Sequence, residues 1–230
     1  MEAGLKEATR RYAERDYEGA LAALDGVDAT EGNRLDLAYI LGLCHARLGD
    51  WDDSLLYLEQ VVTGSEDLLR VYQCRLALSY VYSVTGRSRL AEYELDHLMK
   101  AGFRSVQVLS SLAYAAYRQG RLEEAERRYD EALDLDPESA TALNGLGYVL
   151  ACEGREAARA LTCCRKAVDK APRNPAYLDS LGWAYHVLGF EAEAKDYVGR
   201  ALALAPEPEE IREHARALGI KEPGSLEEQA

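Results

Sequence analysis

Residues 174–206 read NPAYLDSLGWAYHVLGFEAEAKDYVGRALALAP, and this stretch decides the fold. Counted from Pro175 as position one, positions four, seven and eleven are Leu178, Leu181 and Tyr185. A helix advances about 100° per residue, so these three side chains fall on one apolar face. Gly189 follows these positions and allows a left-handed turn, because glycine has no Cβ. Pro206 closes the stretch, since proline cannot continue a helix. We therefore predict two helices of about 13 residues joined by a tight turn.

Similar units precede this one along the chain. An aromatic residue recurs at the same position of four units, at intervals of 34, 34 and 35 residues, as Tyr80, Tyr114, Tyr148 and Trp183. Self-similarity at this period is typical of a helical repeat array. We place six units approximately at residues 1–34, 35–68, 72–105, 106–139, 140–174 and 175–208.

The units resemble the tetratricopeptide repeat family. In the last unit the resemblance is carried by Leu178, Leu181, Gly182, Tyr185, Gly189, Ala194, Val198, Ala201 and Pro206. It implies an all-α fold, a right-handed superhelical solenoid of about six helix-turn-helix repeats with a C-terminal capping helix. Small residues such as Gly182 and Ala194 are expected to let paired helices approach closely.

Beyond the repeats, Ile211, Ala215 and Leu218 fall at helical spacing among charged residues. This pattern places an amphipathic capping helix at residues 207–219, where it would shield the last repeat from water. The remaining residues, 220–230, are polar and contain Pro and Gly, so we predict a flexible tail.

Charge limits the classes of partner. The net charge of −13 argues against nucleic acid, whose binding needs a basic surface, and against attraction to an anionic membrane. No segment reaches the roughly 18 apolar residues of a membrane span, so we expect no direct membrane insertion.

Five cysteines without a pairing pattern favour reduced thiols. Together with the absence of a signal-like apolar run near Met1, this predicts a cytoplasmic protein. The alternative is an exported or lipid-anchored protein whose signal has been removed.

The first of the two helices in each unit also carries a second stripe, formed by positions two, five, nine and twelve. This stripe points away from the core between the paired helices. In the family that the chain resembles, this stripe lines the concave groove where ligands bind. With two arginines from position thirteen, the candidate groove residues are Tyr39, Arg47, Tyr80, Tyr114, Tyr117, Arg118, Asn144, Tyr148, Trp183 and His186. Tyr12 and Asp179 lie on the same stripe.

The position-nine rings should form a ladder at the roughly 8–10 Å spacing of packed helices. Such a ladder suits an extended peptide or an apolar helix. The alternative is that the rings pack between repeats. For Tyr17, Trp51 and Tyr129, on or beside second helices, we predict core packing.

Catalysis is not expected. The four histidines are scattered, the sequence has no metal-ligand spacing, and no phosphate loop or nucleophile motif occurs. We therefore predict no enzyme activity, no metal and no cofactor. His45 falls on a core-facing position, and we interpret it as a satisfied structural residue.

The resemblance implies a protein–protein interaction scaffold or adaptor that holds a peptide or helical segment in its groove. No basic residue occupies positions two, five and nine of the first three units, so the family's carboxylate clamp is not expected. Two alternatives stay open. One is a structural subunit that forms homo-oligomers or joins a larger assembly, such as the envelope or secretion complexes served by similar bacterial proteins. The other is a peptide-sensing regulatory module.

Overall fold

The structure is a computed structural model that describes residues 3–221. Over this range the chain forms thirteen α-helices and no strand, which confirms the all-α class. None of these helices is long and apolar enough to cross a bilayer. Met1, Glu2 and residues 222–230 lie outside the described residues, and with them most of the predicted tail. The chain divides into two compact units, residues 1–104 and 105–230.

The first unit contains three helix pairs. They are α1 (Ala3–Ala13) with α2 (Tyr17–Leu24), α3 (Arg34–Leu48) with α4 (Trp51–Gly64), and α5 (Leu68–Val84) with α6 (Ser88–Lys100). Within this unit α1 packs on α3 and α3 packs on α5, while α2 and α4 pack on the first helix of the following pair. Each pair is therefore buried by its neighbour along the chain.

The second unit contains three further pairs and a single last helix. They are α7 (Val106–Arg118) with α8 (Leu122–Leu135), α9 (Ala140–Glu153) with α10 (Ala157–Lys170), α11 (Pro175–Val187) with α12 (Glu191–Leu204), and α13 (Glu209–Ala217). Helix α13 packs on both α11 and α12. It buries Ile211 and Ala215, with Leu218 just beyond its end, and so covers the last pair as a capping helix does.

The turn inside each pair uses a left-handed backbone. Five of these turns place a glycine there, with φ between 65° and 87°, at Gly49, Gly86, Gly120, Gly154 and Gly189. Glycine adopts this conformation without steric cost, so the predicted role of these glycines is confirmed. The first pair has Arg15 instead, with φ 64°, a conformation that is unfavourable for a residue with a Cβ.

Helix boundaries follow signals that are visible in the sequence. The second helices of the second unit each stop two residues before a proline: Leu135 before Pro137, Lys170 before Pro172, and Leu204 before Pro206. Proline disfavours helical geometry at the residue before it, so these helices end there. Each first helix of the second unit begins after a capping residue whose side chain accepts a hydrogen bond from a backbone N–H group. These capping residues are Ser105, Ser139 and Asn174.

Close approach of helices within a pair and between pairs depends on small residues. A Cβ built on Gly182 would lie 2.6 Å from Cγ2 of Val198 and 3.1 Å from the carbonyl oxygen of Ala194. The predicted contact of Gly182 with Ala194 is therefore confirmed. Tyr129 is 5% exposed, as predicted for a core ring, and its ring rests on the bare backbone of Gly145.

The other two predicted core rings are less buried. Trp51 packs against the core of the first unit but remains partly exposed. Tyr17 is also only partly buried, and its ring centroid lies 5.5 Å from that of Tyr12. Core packing was thus wrong for Tyr17, because this first residue of α2 packs its ring against Tyr12 and outside the buried cluster of the first pair.

We expect Gly182→Ala to lower the free energy of unfolding by about 1–3 kcal/mol, because the added methyl group forces α11 and α12 apart. Gly199→Ala is the matched control. Its Cβ would meet nothing within 4 Å, so this change should stabilise α12 by up to about 1 kcal/mol. Urea unfolding followed by circular dichroism measures both. Equal stability of the two variants would contradict close packing at Gly182.

Candidate functional site

In the first unit the candidate residues lie on α3 and α5. The hydroxyl of Tyr39 donates a hydrogen bond to Oε1 of Gln73, and the guanidinium carbon of Arg70 lies 5.5 Å from the centre of the Tyr39 ring. Tyr80 is 54% exposed, and its ring meets Trp51 edge-on at 6.1 Å between centroids. Tyr39 is therefore held in place by its neighbours, whereas the ring of Tyr80 is largely open to solvent.

Arg47 is exposed at the end of α3 and forms a hydrogen bond with Tyr12, which raises the pKa of Arg47. The neighbouring phenols of Tyr17 and Tyr80 act in the same direction. A permanent cation thus stands beside aromatic side chains on this surface. We name the set Tyr39, Arg47 and Tyr80 the first aromatic face.

In the second unit the rings form a continuous series rather than separate rungs. Ring centroids lie 6.3 Å apart for Tyr114 and Tyr117, and 5.5 Å apart for Tyr117 and Tyr148. The series continues through His214 of α13, which lies 6.0 Å from Tyr148 and stacks on Trp183 at 4.1 Å. Spacings of 4–6 Å are those of direct aromatic contact, so additional rings fill the gaps between the position-nine side chains.

Hydrogen bonds fix the same series. Nη1 of Arg118 donates to the hydroxyl of Tyr114 at 3.0 Å, and its guanidinium carbon lies 5.8 Å from the centre of that ring. The hydroxyl of Tyr117 donates to that of Tyr148 at 3.4 Å, and Tyr148 donates to Oε1 of Glu210 at 2.8 Å. We name the set Tyr114, Tyr117, Arg118, Asn144, Tyr148, Trp183 and His186 the second aromatic face.

A buried pair anchors α13 beside this face. Nδ1 of His214 lies 2.8 Å from Oδ2 of Asp179, and the two residues are only 7% and 4% exposed. Nε2 of His214 lies 3.4 Å from the hydroxyl of Tyr148. Because His214 also covers one side of Trp183, the C-terminal part of the second aromatic face is occupied by the protein's own helix.

Two candidate residues lie beside this occupied part. Nδ1 of His186 lies 2.9 Å from Oε1 of Glu191, and its ring centroid lies 5.0 Å from that of Trp183. Asn144 is partly buried, and its Oδ1 atom has no hydrogen-bond partner among the described residues. His186 is thus engaged within its own pair, whereas Asn144 retains an acceptor.

A ring nitrogen of each of the four histidines lies within hydrogen-bond distance of another residue. For His45 this agrees with its interpretation as a satisfied structural residue. The partners are Asp50 for His45, the carbonyl oxygen of Tyr93 for His97, Glu191 for His186 and Asp179 for His214. Within residues 3–221, no group of three or more His, Cys, Asp and Glu is placed to hold a metal ion.

Burial changes the acidity of the central phenols. Loss of solvation raises the pKa of Tyr117 to about 12, and the same cause, reinforced by the charge of Glu210, raises the pKa of Tyr148. Both side chains are therefore neutral at physiological pH and can act as hydrogen-bond donors.

Sequence reasoning missed the contribution of α13. Glu210 and His214 stand four residues apart, so they share one side of the helix, about 100° around from the side that carries Ile211 and Ala215. That spacing was visible in the sequence. Which of the preceding rings they contact depends on how α13 docks, and the sequence carries no signal for this.

We expect Asp179→Ala to destabilise α13, because His214 then stays buried without its carboxylate, at a cost of about 3 kcal/mol. Glu191→Ala is the matched control. It removes the carboxylate from the more exposed pair with His186 and should cost less than about 1 kcal/mol. Hydrogen exchange of residues 209–217 measures the difference. Similar exchange in both variants would show that the buried pair does not anchor α13.

Stability should also depend on pH through Tyr117. A tyrosine in the unfolded chain ionises near pH 10, whereas Tyr117 in the folded protein stays neutral to about pH 12. The contribution of neutral Tyr117 to the free energy of unfolding is complete below pH 10 and is lost as the pH rises from 10 to 12. Tyr117→Phe should make the fall in unfolding free energy over this range less steep, as measured by urea unfolding. Tyr80→Phe, at a largely exposed position, is the control, and the same slope in both variants would contradict the prediction.

Comparison with known proteins adds family evidence to this geometry. The family model described as tetratricopeptide repeat matches residues 5–67 and 111–175, together more than half of the chain. A tetratricopeptide repeat-containing protein of Pseudomonas aeruginosa is 32% identical over 104 residues, 45% of this chain and 18% of that protein. The human protein O-mannosyl-transferase TMTC1 is 25% identical over 167 residues, 66% of this chain and 19% of that protein. The chain thus spans about a fifth of the length of these curated relatives.

Solved structures share the same architecture. A tetratricopeptide repeat protein from Parabacteroides merdae aligns with 94% of this chain and 83% of its own, with a TM-score of 0.73 and 15% identity. At that level of identity the similarity shows the fold alone. The family match and this structure agree on stacked helix pairs.

Proposed function

This chain belongs to the tetratricopeptide repeat family, whose fold supports protein–protein interaction, and from that premise we propose that it is a non-catalytic scaffold binding a peptide or helical segment of a partner. The proposed contact surfaces are the first and second aromatic faces.

Exposure of Tyr80 is the observation that carries the proposal. Its neighbours Leu78 and Val81 on α5 are 1% and 0% exposed, so α5 is well packed on its other side. Tyr80 nevertheless leaves more than half of its surface in water. Covering apolar surface yields about 25 cal/mol per Å², so a partner that covers this ring gains free energy on binding.

In the second unit the part of the face away from α13 supports the same function. Tyr114 and Tyr117 supply ring surface, and Arg118 is fixed by its bond to Tyr114 with further N–H groups available as donors. These side chains are already held in one arrangement. Less side-chain entropy is therefore lost on binding than with mobile residues.

The surface chemistry indicates the kind of segment that would bind. Aromatic rings favour apolar or aromatic side chains, and the guanidinium and phenol groups favour carbonyl oxygens of an extended or helical backbone. The net charge of −13 favours association with partners that carry basic residues outside the contact.

The test combines Tyr80→Ala with Tyr114→Ala and measures partner capture. The tagged protein is used for affinity purification from the source cell, with quantitative mass spectrometry. We expect the captured partner to decrease at least tenfold, which corresponds to about 1.4 kcal/mol, while helicity by circular dichroism is retained.

Tyr93→Ala is the matched control, because Tyr93 is 56% exposed on α6, outside both aromatic faces. Capture should be retained in this variant. Unchanged capture by the double variant would refute binding on the aromatic faces. Equal loss in the control would show a general effect of removing exposed tyrosines.

A further inference from the structure

Helix α2 is much shorter than the other second helices. It has 8 residues, whereas α4, α6, α8, α10 and α12 have 13 or 14. At the 34-residue period, Leu24 at the end of α2 corresponds to Leu58 of α4. Helix α4 continues from that point to Gly64, so α2 lacks nearly two turns.

The chain after α2 is held in a different path. Gly26 has φ 80°, which takes the backbone out of the helix. Asn33 then braces the loop, since its Oδ1 accepts from the N–H of Thr30 at 2.7 Å and its Nδ2 donates to the carbonyl oxygen of Asp28 at 3.0 Å. The loop is thus held by its own hydrogen bonds, and it leaves a space beside the end of α2.

That space is an open cavity of about 540 Å³ between α2, α3 and α4. Most of its lining is apolar and includes Leu21, Leu24, Val27, Leu37, Leu41 and Tyr57. The next pair has a complete second helix, so the burial of its corresponding residue can be compared with that of Val27. Val61 of α4 is fully buried, whereas Val27 is only partly buried. Apolar surface that a complete second helix would cover is therefore uncovered in the first pair.

Two charged side chains stand at the rim of this cavity. Asp25 and Arg34 are both exposed, and neither forms an ion pair with another described residue. The site therefore offers an apolar floor with a carboxylate and a guanidinium at its edge. A cavity volume of 300–1,000 Å³ is typical of ligand sites, and an amphipathic helix in a groove is a recurring mode of recognition.

We propose that this cavity is a docking site for an amphipathic helix of a partner protein, which supplies the turns that α2 lacks. The docking helix carries apolar side chains at positions i and i+4 on one face. A basic residue of that helix faces Asp25 and an acidic residue faces Arg34. This site is separate from both aromatic faces, so it can be tested independently of the proposed function.

The probe is a synthetic 14-residue helical peptide with leucines at i and i+4, a lysine placed for Asp25 and a glutamate placed for Arg34. Isothermal titration calorimetry measures its binding to the full chain. We expect Ala22→Trp to weaken binding at least tenfold, because Ala22 is an exposed residue of the lining and an indole there fills the cavity. Ala203→Trp, at an exposed position of α12, is the matched control and should bind as the unaltered protein does.

Charge reversal provides the second measurement. Arg34→Glu should weaken binding, and a peptide with lysine in place of its glutamate should restore it. Arg173→Glu, an exposed arginine elsewhere, should have no effect. The proposal is overturned if Ala22→Trp binds as tightly as the unaltered protein, or if a peptide with serines in place of leucines binds equally well. It is also overturned if amide chemical shifts map the peptide to Tyr80 and its neighbours on α5 instead of the lining residues of α2–α4.

Discussion

The fold depends on the contact between neighbouring helix pairs, because a unit of about 34 residues cannot bury its apolar face alone. Glycine and alanine at the closest points let helices approach each other both within a pair and between pairs. At Gly182 the absence of a side chain lets the backbone of α12 approach α11, and at Gly145 it leaves room for the ring of Tyr129. Left-handed glycines return the chain sharply enough for the two helices of a pair to meet. Once the pairs stack, the other face of each first helix is free to carry side chains that packing does not select. In this protein many of them are tyrosines.

Much of this arrangement could be predicted from local signals. The turn glycines, the prolines behind the second helices and the small residues at the pair contacts each act within a few residues, so their effect is readable in one sequence. The positions of Tyr80 and Tyr114 on first helices followed from the helical period. Contacts between distant elements could not be predicted in this way. The pairing of His214 with Asp179 joins residues 35 apart in the chain, and it depends on the angle at which α13 docks. The early end of α2 had a local signal in Gly26, but the path of the loop that follows depends on the hydrogen bonds of Asn33 with Asp28 and Thr30.

The last helix combines a role that the sequence predicted with one that it did not. Its apolar side covers the final pair, as expected of a capping helix. On the adjacent side, Glu210 accepts a hydrogen bond from Tyr148 and His214 stacks on Trp183. A helix that protects the end of the array thereby also limits how much of the aromatic surface a partner can reach. The first unit has no such cover over Tyr80. Its N-terminal pair instead leaves an apolar cavity beside the short α2.

That short helix also bears on how the chain folds during synthesis. Helices α1 and α2 leave the ribosome before α3, yet the unfavourable turn at Arg15 and the truncated α2 make this pair poorly suited to fold by itself. Domains and repeats generally fold as their residues emerge, at about 5–20 residues per second. Here α1 and α2 must wait for α3, which supplies the surface on which both of them pack. The first pair is therefore completed only after the first helix of the second pair has been made.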